Sequence, residues 1–589
     1  MKLDNQEQLE ALRHSTAHLL AAAVMELWPK AKRTIGPAIE DGFYYDFDFA
    51  GYKSPPGEAD FPKIEAKMRE LVKDWKDFKR EELTISEAKA RYPGNSFKHE
   101  LIEEFSEGGK KKLSFYTSGN YSDLCKGGHI SEPSKKLKYF KLLSVAGAYW
   151  RGDETKPVLT RIYGTAWFSQ KELDEYIRRR EEAKKRDHRK LGKELGLFLI
   201  SEDVGPGLIL WQPKGNIIKE ELENWAKQAE KSWGYQRVTT PNITKAGLYY
   251  TSGHLPYYQK DMYPPMKLDD GEEYFLKPMN CPHHHQIYKA KPRSYRELPL
   301  RLAEFGTCYR YESSGELFGL MRVRGFTQND SHIYCTKEQA VDEFVAVMKL
   351  HEYYYRTLGI NEYHLELALR DPKDSGKYHG DDKMWALAEK LMRQAASKVD
   401  IPMVESIGNA AFYGPKIDFI IHSSIGREFA ISTNQIDLYM GQRFKLTYTD
   451  RDGSEKTPVI IHRAPLGSHE RFIGFLIEHF GGAFPTWLTP VQVKVLPVTD
   501  RQLAYAKLVT KQLDEANVRA EVDEGNETLS AKIRDAQLEK VAYMLIVGDK
   551  EEKEKTVTER RRSGKDFGAQ PLKKFIESIR KEIEEKTIN

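Results

Sequence analysis

The sequence predicts an α+β protein of several domains, and three features carry that reading. At 589 residues the chain is too long for one core, so two to four domains are expected. In its middle, residues 301–335 (RLAEFGTCYRYESSGELFGLMRVRGFTQNDSHIYC) have strand character on both sides of a glycine- and serine-bearing turn. That pattern predicts two antiparallel strands joined by a long loop. From Thr489 onward strands and helices alternate, which predicts an α/β domain with a mostly parallel sheet and covering helices.

Composition narrows the function classes. A charged fraction of 31% with 40% hydrophobic residues is ordinary for a globular protein, and no apolar run approaches a membrane span, so no membrane partner is expected. The opening MKLDNQEQLEAL carries acids and lacks the apolar core of a signal peptide. Cys125, Cys281, Cys308 and Cys335 are too sparse for a disulfide scaffold, and a reducing cytoplasm is the expected setting. The net charge of +4 barely favours nucleic acid, so any polyanion partner must be sought in local patches.

In chain order, apolar residues recur at helical spacing from Gln6 to Glu26, and RHSTAHL puts His14 and His18 on one helix face. Later, DLCKGGH repeats the four-residue spacing with Cys125 and His129. On the residues alone this is a zinc-like inventory, with a metal-free hydrolytic pocket or merely packed histidines as the other readings. Residues 36–48 alternate aromatic and acidic positions like a strand pair, residues 51–60 form a Pro/Gly loop, and residues 161–167 make another strand. A dense charged helix is expected over residues 170–192, solvated and held by i,i+4 pairs, with a basic side suited to phosphates. A helix after Trp211 leads to a strand ending at Pro241.

Arg310, Arg322 and Arg324 stand where the central strands meet their loop. A guanidinium fork tolerates partial burial when an anion answers it, so either a phosphate ligand or ordinary salt bridges must do so. Cys281, His332 and His462 each lie in a run that reads as a strand or its end. They are far apart in sequence, but a thiolate with two imidazoles is a catalytic zinc set that leaves one coordination position open.

Phe305–Glu312 (FGTCYRYE) resembles motif 2 of class II aminoacyl-tRNA synthetases, Leu466–Phe472 (LGSHERF) resembles motif 3, and Tyr235–Pro241 with the following helix resembles motif 1. Met279–Pro282 (MNCP), Asp330–His332 (DSH) and His462–Ala464 (HRA) narrow the likeness to threonyl-tRNA synthetases over almost the whole chain. Prolyl or seryl relatives are disfavoured by the Cys281, His332 and His462 set. A non-catalytic RNA-binding paralogue is disfavoured by the retained Arg310 and Arg471.

The resemblance implies an N-terminal α/β editing domain (1–169), a linker helix (170–192), a class II catalytic core with an antiparallel sheet flanked by helices (193–488), and a C-terminal α/β anticodon-binding domain (489–589). It implies ATP-dependent attachment of L-threonine to threonine tRNA through an adenylate, in a homodimer with Pro241 at the interface. Cys281, His332 and His462 would hold one zinc per subunit, which takes the amino and hydroxyl groups of threonine. Valine cannot supply the hydroxyl. Serine can, and one methyl group is worth only about 1–3 kcal/mol, so a second, hydrolytic site must remove seryl-tRNA. His14, His18, Lys98, Asp123, Cys125 and His129 match that editing site, which the family operates without a required metal.

For ATP, held with Mg2+, the resemblance assigns Arg310 to the α-phosphate, Glu312 to adenine, Arg322 to the outer phosphates, Phe326 to stacking and Arg471 to the opposite side. Thr433 and Ser468 line the same pocket. Gln328, Asp330, Tyr413 and Gln435 would hold threonine, with Lys416 joining the two arginines as catalytic charge. His283, His284, His285, His379, His422 and His469 are read as non-ligands. Asn526, Glu551 and Arg560 match positions that read anticodon bases, with Arg561, Arg562 and Lys565 adding phosphate charge. Two departures stand out. Phe429-Ala430 replaces the usual Trp-Gln, removing a glutamine that touches the nucleotide, and the likeness begins at the editing helix, without the small ubiquitin-like domain of many members.

Overall fold

A computed structural model of the protein describes residues 2–588 apart from 108, 375 and 423–427. The chain forms two compact units, Met1–Glu181 and Glu182–Asn589.

In the first unit the helix Lys2–Leu27 buries Leu12, Leu19, Leu20 and Ala23 against Phe43, Tyr45 and Phe47 of the strand Gly42–Asp48. That strand pairs antiparallel with Val158–Trp167, which pairs in turn with Tyr139–Tyr149. A separate antiparallel sheet orders Lys79–Thr84, Lys112–Ser118 and Tyr121–Leu124. The strand pair expected over residues 36–48 is present as Ala38–Ile39 against Gly42–Asp48.

The expected continuous helix over residues 170–192 is instead two, Gln170–Arg186 and His188–Glu194. Asp187 breaks it: its backbone is extended (ψ 120°) and its carboxylate accepts the Arg189 amide at 2.8 Å, capping the second helix. The break sends His188 into the core, where Nδ1 meets Glu478 at 2.8 Å and Nε2 accepts the Leu320 amide at 3.0 Å.

The second unit is built on an eight-stranded sheet. Its order is Gln236–Arg237, Leu300–Tyr309, Gly325–Cys335, Val459–Arg463, Glu428–Asp437, Lys416–His422, Tyr363–Leu369 and Met403–Ile407. The long-looped antiparallel pair expected over residues 301–335 is the second and third strands. The helices Pro213–Ser232, Ala340–Thr357 and His469–Phe480 bury Trp225, Tyr354 and Phe475 in the core of this unit. The long helix precedes the 235–241 run; the one that follows it, Ala246–Ser252, has seven residues.

After residue 489 the strands run Ala520–Val522, Val493–Pro497, Tyr543–Val547, Thr556–Arg561, Asp566–Pro571. The first three are parallel and the last two antiparallel, so the sheet is mixed rather than mostly parallel. Between Tyr543–Val547 and Thr556–Arg561 the chain has only the helix Asp549–Glu554, too short for a parallel crossover, and it returns as a hairpin.

Candidate active sites

The period-two alternation of a strand explains the main cleft. Phe326, Gln328, Asp330 and His332 occupy alternate positions of Gly325–Cys335 and therefore share one face, while Asn329 and Ile333 face the other way. Cross-strand register extends that face: His332 lies opposite His462, His462 opposite Gln435, and Gln435 opposite Lys416. A row of chemically active side chains thus crosses four neighbouring strands.

The donor atoms of Cys281, His332 and His462 lie within 4.8 Å of one another, and all three residues are buried. Cys281 is not on a strand; it begins the helix Cys281–Lys289, where Pro282 occupies the first turn and the thiol points from the helix end toward the sheet histidines. Burial, with the Asp330 and Asp437 carboxylates beside it, pushes the Cys281 thiol well above its usual range. A thiol so placed releases its proton to solvent readily only when a metal cation takes the sulfur, and with two imidazoles it makes a three-donor set that fits zinc with a position left open. His462 Nε2 meets Asp437 at 3.0 Å, which leaves Nδ1 as its donor atom.

Beside this set is a cleft of about 700 Å3 lined by Arg310, Glu312, Arg322, Phe326, Gln328, Tyr413, Lys416, Thr433, Gln435, Ser468 and Arg471. Asp330 is buried next to it, held by the Asn280 amide at 3.0 Å. Burial and the nearby Arg310 and Arg322 lower the Arg471 pKa. Arg471 donates to the Met321 and Ala430 carbonyls at 3.0 and 3.4 Å. The Arg310 guanidinium lies 5.1 Å from the Phe326 ring centre. Arg322 is paired with Glu312 and Glu316 at 2.8 and 2.9 Å. Arg310, Arg322 and Arg471 line one cleft with Phe326, and guanidiniums beside an aromatic ring have the chemistry to take a polyphosphate that carries a planar base. Lys416 pairs with Asp418, whose other oxygen accepts Thr433 Oγ1 at 2.6 Å, and Tyr413 donates to Gln435.

Sequence reasoning missed several of the cleft's walls. Tyr257, Lys377, His379, Asn409 and Phe412 also line it; Tyr257 ends the short helix His254–Tyr257, and the others come from loops with no local pattern to mark them. The HRA arginine supports the sheet from behind: Arg463 Nη1 and the Asn329 amide both reach Glu230 at 2.8 Å, and the Arg463 guanidinium sits 4.1 Å from the Tyr235 ring centre.

In the first unit the helix spacing brings His14 and His18 together, Nε2 to Nε2 at 3.2 Å, and Cys125 Sγ lies 3.4 Å from His14 and 3.3 Å from His129. Gly127 and Gly128 (φ +104° and +82°) fold the loop so that Cys125 and His129 meet, and a Cβ at Gly127 would lie 2.7 Å from Tyr116 Oη. Behind them Asp123 is a buried hub, 2.8 Å from Lys98 Nζ and accepting the phenols of Tyr45, Tyr92 and Tyr121 at 2.5, 2.6 and 3.0 Å. Burial opposes its ionisation, but Lys98 and Arg33 hold it far below the usual carboxylate range. Burial lowers His14 and His18 and takes His129 down to about 3, while it pushes Cys125 up to about 11. At neutral pH the pocket therefore holds uncharged imidazoles and a thiol around about 220 Å3 of space lined by His14, His18, Lys98, Asp123 and Cys125.

At the far end, Asn526 and Glu551 follow the carboxyl ends of the parallel strands Ala520–Val522 and Tyr543–Val547. Glu551 accepts Thr558 Oγ1 at 2.9 Å, and Arg560 stands one pleat further along the same strand face.

Residues 265–480 match the tRNA synthetase class II core domain (G, H, P, S and T), and residues 492–582 match an anticodon binding domain. The sheet, antiparallel except at its two parallel edge pairs, its arginine-lined cleft and these two matches define a class II aminoacyl-tRNA synthetase. The chain is 49% identical to a threonine–tRNA ligase of Thermus thermophilus, over 98% of this chain and 89% of that one. It is 48% identical to that of Chloroherpeton thalassium, over 100% and 89%. The crystal structure of the RNA binding domain of threonyl-tRNA synthetase from Cryptosporidium parvum superposes with a TM-score of 0.64 at 36% identity, covering 67% of this chain and 98% of that one. The chain belongs to the threonine–tRNA ligase family, and it is an enzyme of that family.

Proposed function

We propose that this chain activates L-threonine with ATP, transfers it to threonine tRNA through a threonyl-adenylate, and hydrolyses mischarged seryl-tRNA in its N-terminal unit. The observation that carries the reading is the row from His332 through His462 and Gln435 to Lys416, with Cys281 facing it and the arginine-lined cleft beside it. The working parts are editing domain 1–169, linker 170–192, catalytic domain 193–488 and anticodon-binding domain 489–589.

Cys281, His332 and His462 would hold one zinc per chain, a Lewis acid that takes the amino and hydroxyl groups of threonine when bound. Gln328, Asp330, Tyr413 and Gln435 surround the amino acid, and the buried Asp330 accepts a hydrogen bond from its amino group. Phe326 stacks on adenine and Glu312 receives its amino group. Arg310 and Arg471 then bracket the α-phosphate, and Arg322 leaves its two glutamates for the outer phosphates, which the family binds with Mg2+. The threonine carboxylate attacks the α-phosphorus in line and pyrophosphate leaves. Arg310, Arg471 and Lys416 stabilise the charge that develops, and no side chain forms a covalent bond. Asn526, Glu551 and Arg560 meet the anticodon, the chain pairs into a homodimer at the segment Tyr235–Pro241, whose expected strand is only Gln236–Arg237 and stops short of Pro241, and the enzyme works in the cytoplasm. Among the described residues no helix is long and apolar enough to cross a membrane.

In ATP–pyrophosphate exchange, threonine should support the fastest turnover, serine a slower one and valine almost none, with one zinc per chain by elemental analysis. Faster exchange with proline, or metal-free active protein, would reject the assignment.

The editing pocket carries a pH signature. An unfolded histidine takes its proton near pH 6.5, whereas folded His129 resists until about 3. Between those values the unfolded chain binds more protons, so stability of this unit is full above pH 6.5 and is lost as pH falls toward 3. Hydrogen exchange in the helix Lys2–Leu27 should accelerate from pH 7 to pH 5 relative to the helix Leu503–Glu515, which lies in the histidine-free stretch after residue 489, after correction for intrinsic rates. Equal protection at both pH values would show that the imidazoles are not held neutral.

A further inference from the structure

We infer that His284 and Glu304 set the donor atom of His332: a carboxylate–imidazole–imidazole relay that aims the second histidine of the metal set and so governs metal affinity and threonine binding. The inference rests on the zinc reading of Cys281, His332 and His462.

His284 is one turn after Cys281 on the same helix and is fully buried. Its Nδ1 lies 2.8 Å from His332 Nδ1, and its Nε2 lies 3.1 Å from Glu304 Oε1, off the straight hydrogen-bond direction. Glu304 is itself fixed, accepting the Thr240 amide at 3.1 Å and its hydroxyl at 2.9 Å, with Lys277 Nζ 3.6 Å away. Two imidazole nitrogens 2.8 Å apart require that one carry a proton and the other a lone pair. A carboxylate beside His284 Nε2 keeps the proton there, which leaves Nδ1 as an acceptor. His332 must then donate from Nδ1, and its Nε2 lone pair is the one presented to Cys281 and His462. With the opposite tautomers His332 would carry its proton on Nε2 and could not ligate. His462 receives the same service from a carboxylate directly, Asp437. Only His332 has a second imidazole interposed, and the reason lies in the strands: Leu302, not an acid, is the cross-strand neighbour of His332, while Glu304 stands one pleat away opposite Asp330. His284 spans that gap. A ligating histidine's orienting partner is commonly worth 10- to 100-fold in metal affinity.

The test uses the full-length protein and three readouts: zinc affinity by chelator competition, the visible absorption of the Co2+-substituted protein, and KM for threonine against KM for ATP in exchange. His284→Leu keeps the volume but neither accepts nor donates. It should weaken zinc about 10- to 100-fold, shift the Co2+ bands and raise KM for threonine while KM for ATP stays within twofold. His284→Gln, which can accept from His332 and donate to Glu304, should recover most of the affinity. Zinc affinity and Co2+ bands unchanged in a folded His284→Leu protein would overturn the relay, as would a His284→Gln protein no better than His284→Leu. A parent protein that binds no zinc would instead defeat the underlying metal reading.

Discussion

Cys281→Ser is expected to lower threonine-dependent ATP–pyrophosphate exchange by about 100-fold or more and to leave less than one zinc per chain. The substitution changes one atom in a buried position and keeps the helix start, where Asn280 and Pro282 frame the residue. What it removes is an anionic ligand: the thiolate binds metal, whereas a serine hydroxyl in the same desolvated place, beside Asp330 and Asp437, keeps its proton. Lewis-acid assistance and orientation together are worth several kcal/mol, and each 1.4 kcal/mol is tenfold in rate. The effect should fall on threonine and spare ATP, because the arginines, Phe326 and Glu312 lie outside the three-donor set and the substitution leaves them in place. The check is exchange kinetics against both substrates, with elemental analysis and a melting curve on the same preparation. A folded Cys281→Ser enzyme within fivefold of the parent would mean that amino-acid selection does not depend on the three-donor set.

How much of this was legible beforehand depended on the distance over which each signal acts. The hairpin over residues 301–335 and the helix carrying His14 and His18 were readable because strand and helix periods are local. Spacing could not bring Cys281 to His332 and His462, since that depends on a helix end meeting two strands, and the local run around Cys281 was read as a strand for want of a visible cap. The break at Asp187 was hidden by uniformly high charge, which carries helix propensity but no phase. The mixed C-terminal sheet was missed because an eight-residue connection holding one short helix looks, in sequence, like the start of another crossover. The carboxylates Glu304 and Asp437 left no mark of their own, and His284 stood out only as one of three consecutive histidines read as non-ligands. Each is an unremarkable polar residue until burial and register bring it to a histidine of the donor set or to that histidine's partner.

The double substitution His14→Ala with His18→Ala should leave threonylation within twofold of the parent and allow seryl-tRNA to accumulate. The two histidines share one helix face of the first unit and touch each other, with His14 also meeting Cys125, while the row from His332 to Lys416 belongs to the second unit, so the chemistry lost is separable from the chemistry kept. Both imidazoles are uncharged at neutral pH through burial, as a water-positioning base must be before it takes a proton. The pocket's charge stays in Asp123, Lys98 and Arg33, which the substitutions do not touch, so its shape should persist. With hydrolysis gone, rejection of serine falls back on one methyl group, about 1–3 kcal/mol or roughly 10- to 200-fold. Deacylation of preformed seryl-tRNA and the ratio of serylated to threonylated tRNA read the two functions separately. If the double variant deacylates seryl-tRNA at the parental rate, the histidine pair is packing rather than chemistry. If threonylation falls in step with deacylation, the two units are not independent and the division of labour proposed for them fails.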